Sequence, residues 1–147
     1  SELAIQQLFD ELGIKPDVSI HQNFTVYQAR NLKIFVGDIF NLNHETLGSI
    51  DAVYDRAALV ALPLVMREKY TIHLRELTNT VPQLLLNFTY DQDLMQGPPF
   101  SVGAEEIRRH YNNYYTINLL EEKEVEGKFK GKVYAQEMAW LLTNKTL

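Results

Sequence analysis

Apolar residues recur at helical spacing through residues 2–12, ELAIQQLFDEL, where Ile5, Leu8, Phe9 and Leu12 fall on one stripe. Ser1 stands where an N-cap belongs, Gly13 where a left-handed C-cap belongs, and Pro16 confirms the stop. From 18 to 40 the pattern turns extended. FTVYQA (24–29) alternates, Arg30–Asn31 supplies a turn, and LKIFVGDIF (32–40) alternates again, which predicts a hairpin. Residues 50–54 predict the next strand. Pro63 suits the first turn of a helix, and LVMREKYTIHLREL continues it with Met66, Tyr70, Leu74 and Leu77 inward. QLLLNFTY (83–90) is an unbroken apolar run, which predicts a strand buried on both faces. After the stiff GPPF loop (97–100), SVGAEEIRRHYNNY (101–114) predicts a helix with acids in its first turn. TINLLEEKEVE and VYAQEMAWLLT then predict an antiparallel pair joined by GKFKGK, with Trp140 in the core.

Strand, helix, strand, helix and a terminal hairpin make the second half of a doubly wound α/β sheet. The first half is underrepresented: there is no opening buried strand, no G-x-G-x-x-G and no P-loop. Composition narrows the function classes. A net charge of −5 gives no basic stripe for phosphates, so a nucleic-acid partner is not expected. The absence of cysteine excludes disulfides, thiolate zinc sites and a cysteine nucleophile. His21, His44, His73 and His110 are far apart, so no metal site is expected. No apolar run has the length of a membrane span, and no signal-peptide pattern is seen at the start, so the expectation is a soluble, cytoplasmic protein.

The stretch IDAVYDRAALVALP (50–63) carries the strongest candidate chemistry. It begins as a buried strand and then places Tyr54, Asp55 and Arg56 at the strand's carboxyl end, the edge at which open α/β sheets bind ligands. A solvated strand-to-helix turn is the plainer alternative. Tyr90, Asp91 and Gln92 close the following strand at the same edge. Pro98, Pro99 and Phe100 suit an apolar wall for a flat aromatic molecule, with little chain entropy left to lose on binding. Lys128, Lys130 and Lys132 read as a solvated loop, and the acids Glu121, Glu122, Glu124 and Glu126 as a solvent-facing edge that discourages pairing with other chains.

These residues resemble a family. SELAIQQLF, IFVGDIFNL, IDAVYDRAALVALP, MREKY, YDQDLMQGPPFSV and AWLLT occur in the order found in the thiopurine S-methyltransferases, which are Rossmann-like enzymes dependent on S-adenosylmethionine. A related thiol and halide branch has Asp-Tyr-Thr where this chain has Asp55-Arg56-Ala57, so the resemblance is to the thiopurine side. It implies methyl transfer to the sulfur of a thiopurine-like aromatic thiol, with selenium and tellurium compounds, and hence tellurite resistance, as further possibilities. It implies S-adenosylmethionine binding by Asp38, Ile39, Tyr54 and Arg56, with Asp38 on the adenine amino group and Ile39 on a ring face. Arg56 and Asp55 are the implied catalytic residues, and Asp91, Pro98, Pro99 and Phe100 the implied acceptor site. For Asp38, capping of a turn is the plain alternative.

The resemblance also implies an N-terminally incomplete single domain over 1–147, the C-terminal two-thirds of a mostly parallel, doubly wound methyltransferase sheet. Family members carry upstream a Leu-Cys-Gly-Lys turn and a second strand ending in a ribose-binding glutamate. In the complete fold those strands lie between LKIFVGDIF and IDAVY. The expectation is therefore two sheet pieces with open edges, weak binding of S-adenosylmethionine, and self-association of a chain whose full-length form would be monomeric. The alternative function is a catalytically incompetent binding module that keeps only the second half of the fold.

Overall fold

The computed structural model describes residues 1–145, which fall into two compact units, Ser1–Asn43 and the segment from His44 onward. In the first unit, α1 (Glu2–Leu12) opens with the Ser1 hydroxyl accepting from the Ala4 N–H at 3.4 Å. It closes at Gly13, whose φ of 63° lets its N–H reach the Phe9 and Asp10 carbonyls. Strands β1 (Asp17–His21), β2 (Phe24–Ala29) and β3 (Leu32–Val36) follow as an antiparallel sheet in that order. The expected hairpin is β2–β3, with Ala29 opposite Leu32 and Arg30 at positive φ in the turn. Phe9 stacks on Tyr27 at 6.1 Å and is buried, whereas Leu8 and Leu12 of the same stripe remain exposed. Gly37 ends β3 where a Cβ would stand 2.5 Å from the Phe24 ring, so the aromatic core itself demands glycine there.

The second unit contains α2 (His44–Leu47), β4 (Val53–Asp55), a 3-10 turn (Leu59–Ala61), α3 (Leu64–Leu77), β5 (Gln83–Tyr90), α4 (Ala104–Tyr111), β6 (Tyr115–Glu124) and β7 (Ala135–Asn144). Its sheet runs β4-β5-β7-β6. Only the β4–β5 ladder, crossed over by α3, is parallel; β7 enters between β5 and β6 and pairs antiparallel with both. The architecture is mixed α/β, not mostly parallel. The terminal hairpin folds back into the sheet and supplies its two antiparallel ladders. Among the described residues no ladder joins β3 to β4.

Three boundaries differ from expectation for local reasons. Strand β4 starts at Val53 and not at Ile50, because its partner β5 begins only at Gln83 and leaves residues 50–52 nothing to pair with. It also runs on to include Asp55. Helix α4 starts at Ala104 because the two residues after Phe100 are already bonded to β5: Val102 N–H donates to the Phe88 carbonyl at 2.8 Å, and the Ser101 hydroxyl accepts from Tyr90 N–H. On α3, Tyr70, Leu74 and Leu77 are inward as expected, but Met66 is exposed and Arg67 is buried in its stead.

Strand β5 is not buried on both faces. Leu85 is fully buried, while its neighbour Leu84 is 36% exposed. The covered face carries Gln83, Leu85 and Asn87 beside Met138, Trp140 and Leu142 of β7. Polar groups in this layer bond to one another and to neighbouring backbone, although Gln83 Oε1 is buried without a partner. Trp140 Nε1 donates to Asn87 Oδ1 at 2.7 Å, Asn87 Nδ2 donates to the Val102 carbonyl, and Gln83 Nε2 donates to the Tyr115 hydroxyl at 2.9 Å. Trp140 is in the core, as its pattern predicts.

Candidate functional site

Strand β4 alternates its last residues between environments. Tyr54 points to the open face and is 61% exposed, Asp55 points to the covered face and is 3% exposed, and Arg56 leaves the strand into solvent. Both Asp55 oxygens are engaged. Oδ1 accepts from the N–H groups of Ala58 and Leu59 at 3.1 and 3.3 Å, and Oδ2 accepts from the Tyr70 hydroxyl at 2.9 Å. The carboxylate thus caps the Leu59–Ala61 turn and pins it to α3. Burial, followed by the Asp55 charge and hydrogen bond, pushes the Tyr70 phenol far above its usual range; burial and the same charge also raise Tyr111. Tyr70 therefore remains a donor. Asp55, read from sequence as catalytic, is built into the scaffold beneath Arg56.

The turn that Asp55 holds forms one wall of a groove. Arg56, Ala57, Val60 and Ala61 face Pro98 and Pro99 across about 360 Å³, with Phe88 and Lys130 also lining it. That volume lies within the range of small-molecule sites, roughly 300–1,000 Å³, and the lining is mostly apolar with two cations. Lys130, read from sequence as part of a solvated loop, donates from Nζ to the Pro98 carbonyl at 2.9 Å and so carries the β6–β7 connection to the groove. Its neighbours gave no signal, because the contact spans 32 residues of sequence. The first unit has a larger hollow, about 640 Å³, beside Phe9, Ile14, Val18 and Tyr27. None of the strand-end residues singled out above lines it.

The trio that closes β5 has a different task from the one its position suggests. Gln92 accepts from Ser101 N–H at 2.9 Å and donates to the Met95 carbonyl at 2.6 Å, while the Tyr90 hydroxyl donates to the Pro99 carbonyl. These bonds fold the 91–101 loop so that Pro98 and Pro99 present to the groove. Asp91 is exposed and accepts from Asp93 N–H at 3.1 Å, a turn-forming bond, and is not among the groove residues. Phe100 is also turned from the groove. Its N–H donates to the Val60 carbonyl at 2.7 Å, tying the two walls, and its ring stands over the Arg67 guanidinium at 5.7 Å. Asp38 and Ile39 belong to the first unit. There Asp38 accepts from Phe40 N–H at 3.0 Å and caps the 3-10 turn Ile39–Asn41, leaving its carboxylate exposed.

An arginine at a parallel strand end beside a proline-walled, mostly apolar groove stands at the edge where open α/β sheets bind ligands. The family described as thiopurine S-methyltransferase (TPMT) matches residues 1–145, and the chain belongs to that family. It is 52% identical over 143 residues to the thiopurine S-methyltransferase of Teredinibacter turnerae, covering 97% of this chain and 67% of that one. The thiopurine S-methyltransferase of Xanthobacter autotrophicus is 50% identical over 142 residues, with 97% and 67% covered. That of Gluconobacter oxydans is 41% identical over 140 residues, with 95% and 64% covered. The chain spans about two thirds of the length of these relatives. No helix among the described residues is long and apolar enough to cross a membrane.

Proposed function

We propose that the protein takes part in methyl transfer from S-adenosylmethionine to the sulfur of a flat aromatic thiol such as a thiopurine, with the Arg56 groove as the acceptor site. The observation that supports this most is the groove itself: an apolar slot with a guanidinium and an ammonium at its rim. A heteroaromatic thiol is partly ionised near neutrality, and cations at the rim favour the thiolate. Pro98, Pro99, Ala57 and Val60 offer faces to a planar ring and keep water from the sulfur.

The methyl donor supplies an activated methyl on a sulfonium. The thiolate lone pair forms the new carbon–sulfur bond while the old one breaks, its electron pair passing to the departing sulfur and the thiol proton having gone to solvent. In-line displacement of this kind needs alignment more than a base. On the second unit, the exposed ring of Tyr54 and the guanidinium of Arg56, which suits a carboxylate group, fit the donor chemically. Asp55 acts through the turn it caps. Acceptors based on selenium or tellurium fit the same slot, since a softer nucleophile makes the same demand, and a cytoplasmic location suits such substrates. We assign the chain to the C-terminal part of the methyltransferase fold on the likeness of its β4-β5-β7-β6 order to that class.

Radiolabelled methyl transfer to a mercaptopurine tests the reading, with equilibrium binding of the thiol measured in parallel. Transfer that collapses in Arg56→Ala supports it. Thiol binding without transfer points instead to a binding module, and neither binding nor transfer refutes the assignment of the groove.

A further inference from the structure

Arg67 enters the interior from the first turns of α3 and is only 6% exposed. Its donors go to separate segments. Nε and Nη2 hold the two oxygens of Glu106 on α4 at 2.6 and 3.2 Å. Nη1 donates to the Leu62 carbonyl at 2.8 Å, just past the 3-10 turn that forms one wall of the groove. The guanidinium carbon lies over the ring of Phe100, at the end of the other wall, 5.7 Å from its centroid. Glu106 also meets His110 Nε2 at 3.0 Å, with the imidazole almost wholly enclosed. Burial alone pushes the Glu106 carboxyl up, but the hydrogen bonds from Arg67 and His110, with their charges, outweigh it and hold it below the usual carboxylate range.

A buried ion pair of this kind is not favoured for stability. Desolvation offsets most of its attraction, and apolar side chains of similar volume often pack as well or better. What it supplies is direction. A forked, planar cation clamped by one carboxylate has a fixed plane and a fixed reach, which a methionine or leucine has not. This guanidinium touches both walls of the groove at their far ends, through the Leu62 carbonyl and the Phe100 ring.

We propose that Arg67 is a positioning residue that sets the spacing between the two walls of the Arg56 groove, acting through Leu62 and Phe100, with Glu106 fixing its orientation. The kinetic part of this assignment rests on reading the groove as the acceptor site. Arg67 is not among the residues that line the groove, so its effect is on the shape of the slot and not on the chemistry at sulfur.

Hydrogen exchange measured by mass spectrometry on the protein and on Arg67→Lys reads the loop without reference to activity. Lysine keeps the charge toward Glu106 but cannot fork to Leu62 or present a plane to Phe100. Faster exchange is expected in residues 59–62 and 97–101, with β5 and α3 unchanged. The acceptor KM is expected to rise about tenfold with kcat changed less, since a full ångström of misplacement costs about a hundredfold. Phe100→Leu leaves the ion pair intact and is expected to reproduce both effects; it carries the test alone if Arg67→Lys does not fold. Unchanged exchange at 97–101, or exchange raised uniformly across the second unit, overturns the assignment. If the unsubstituted protein transfers no methyl group, the acceptor reading falls, and the exchange result still decides whether Arg67 positions the loop.

Discussion

The two faces of the four-stranded sheet are built from similar apolar runs and have opposite fates. On one, Leu85, Trp140 and Leu142 are buried, with Asp55, Gln83 and Asn87 among them, each making a side-chain hydrogen bond. On the other, Tyr54 stands opposite Leu84, which stands opposite Leu141, and these side chains are partly or largely exposed. Hydrophobicity does not distinguish the faces; coverage does. The covered face can carry Asp55 and Asn87 because both oxygens of Asp55 and the amide of Asn87 are hydrogen-bonded there. The turn beside Arg56 is held from the covered side by Asp55 and from the 91–101 loop by the Phe100 N–H.

The largest effect is expected at Asp55. Asp55→Ala would leave the N–H groups of Ala58 and Leu59 and the Tyr70 hydroxyl without their acceptor, each at a cost of about 1–3 kcal/mol. Chemical denaturation should show a loss of several kcal/mol, and a loss no greater than that of a surface substitution would remove Asp55 from the scaffold. Next comes a direct contrast between the faces. Leu85→Ala should cost about 2–5 kcal/mol, as a cavity in a closed core does, and Leu84→Ala, one residue away, under about 1 kcal/mol. Equal losses would mean that both faces are covered in solution.

A smaller effect concerns acid stability. The Glu106 carboxyl is held below its ordinary value of 4.5, so the folded state binds its proton less readily than the unfolded chain. The stabilisation is therefore fully present above that ordinary value and is lost as pH falls through the lower folded value. Melting temperatures of Glu106→Gln and the parent should converge as pH falls from the ordinary value of 4.5 through the lower folded value. A gap that does not narrow on acidification would show that the ion pair does not contribute this slope. The smallest change in stability is expected for Arg56→Lys, within about 0.5 kcal/mol because the side chain is exposed. Its turnover should nevertheless fall, since a point charge does not reproduce the guanidinium fork; unchanged kinetics with a thiopurine would reduce Arg56 to a surface residue.

Patterning carried the elements well where one residue period dominated. The caps of α1, the β2–β3 hairpin, α3 after Pro63 and the β6–β7 pair all follow from local spacing and turn chemistry. It failed where burial depended on a distant partner. Met66 has the better hydrophobicity, but Arg67 takes the interior position because Glu106, 39 residues away, neutralises it. The same reason hides Lys130, and it explains why Asp91 looked like a ligand residue while Gln92 and Tyr90 do the work of shaping the loop.

Taken alone, the sequence determined the element types, the lack of thiol chemistry and the motif order shared with the family. These depend on local spacing and on residue chemistry, which a linear chain displays directly. Tertiary structure decided which sheet face is closed, that β7 runs antiparallel between β5 and β6, that Asp55 faces inward to hold its own turn, and that Phe100 points to Arg67 and away from the groove. Each of those outcomes turns on contacts between segments far apart in the chain, where the choice between two inward-facing side chains depends on which one finds a partner for its charge or its donors.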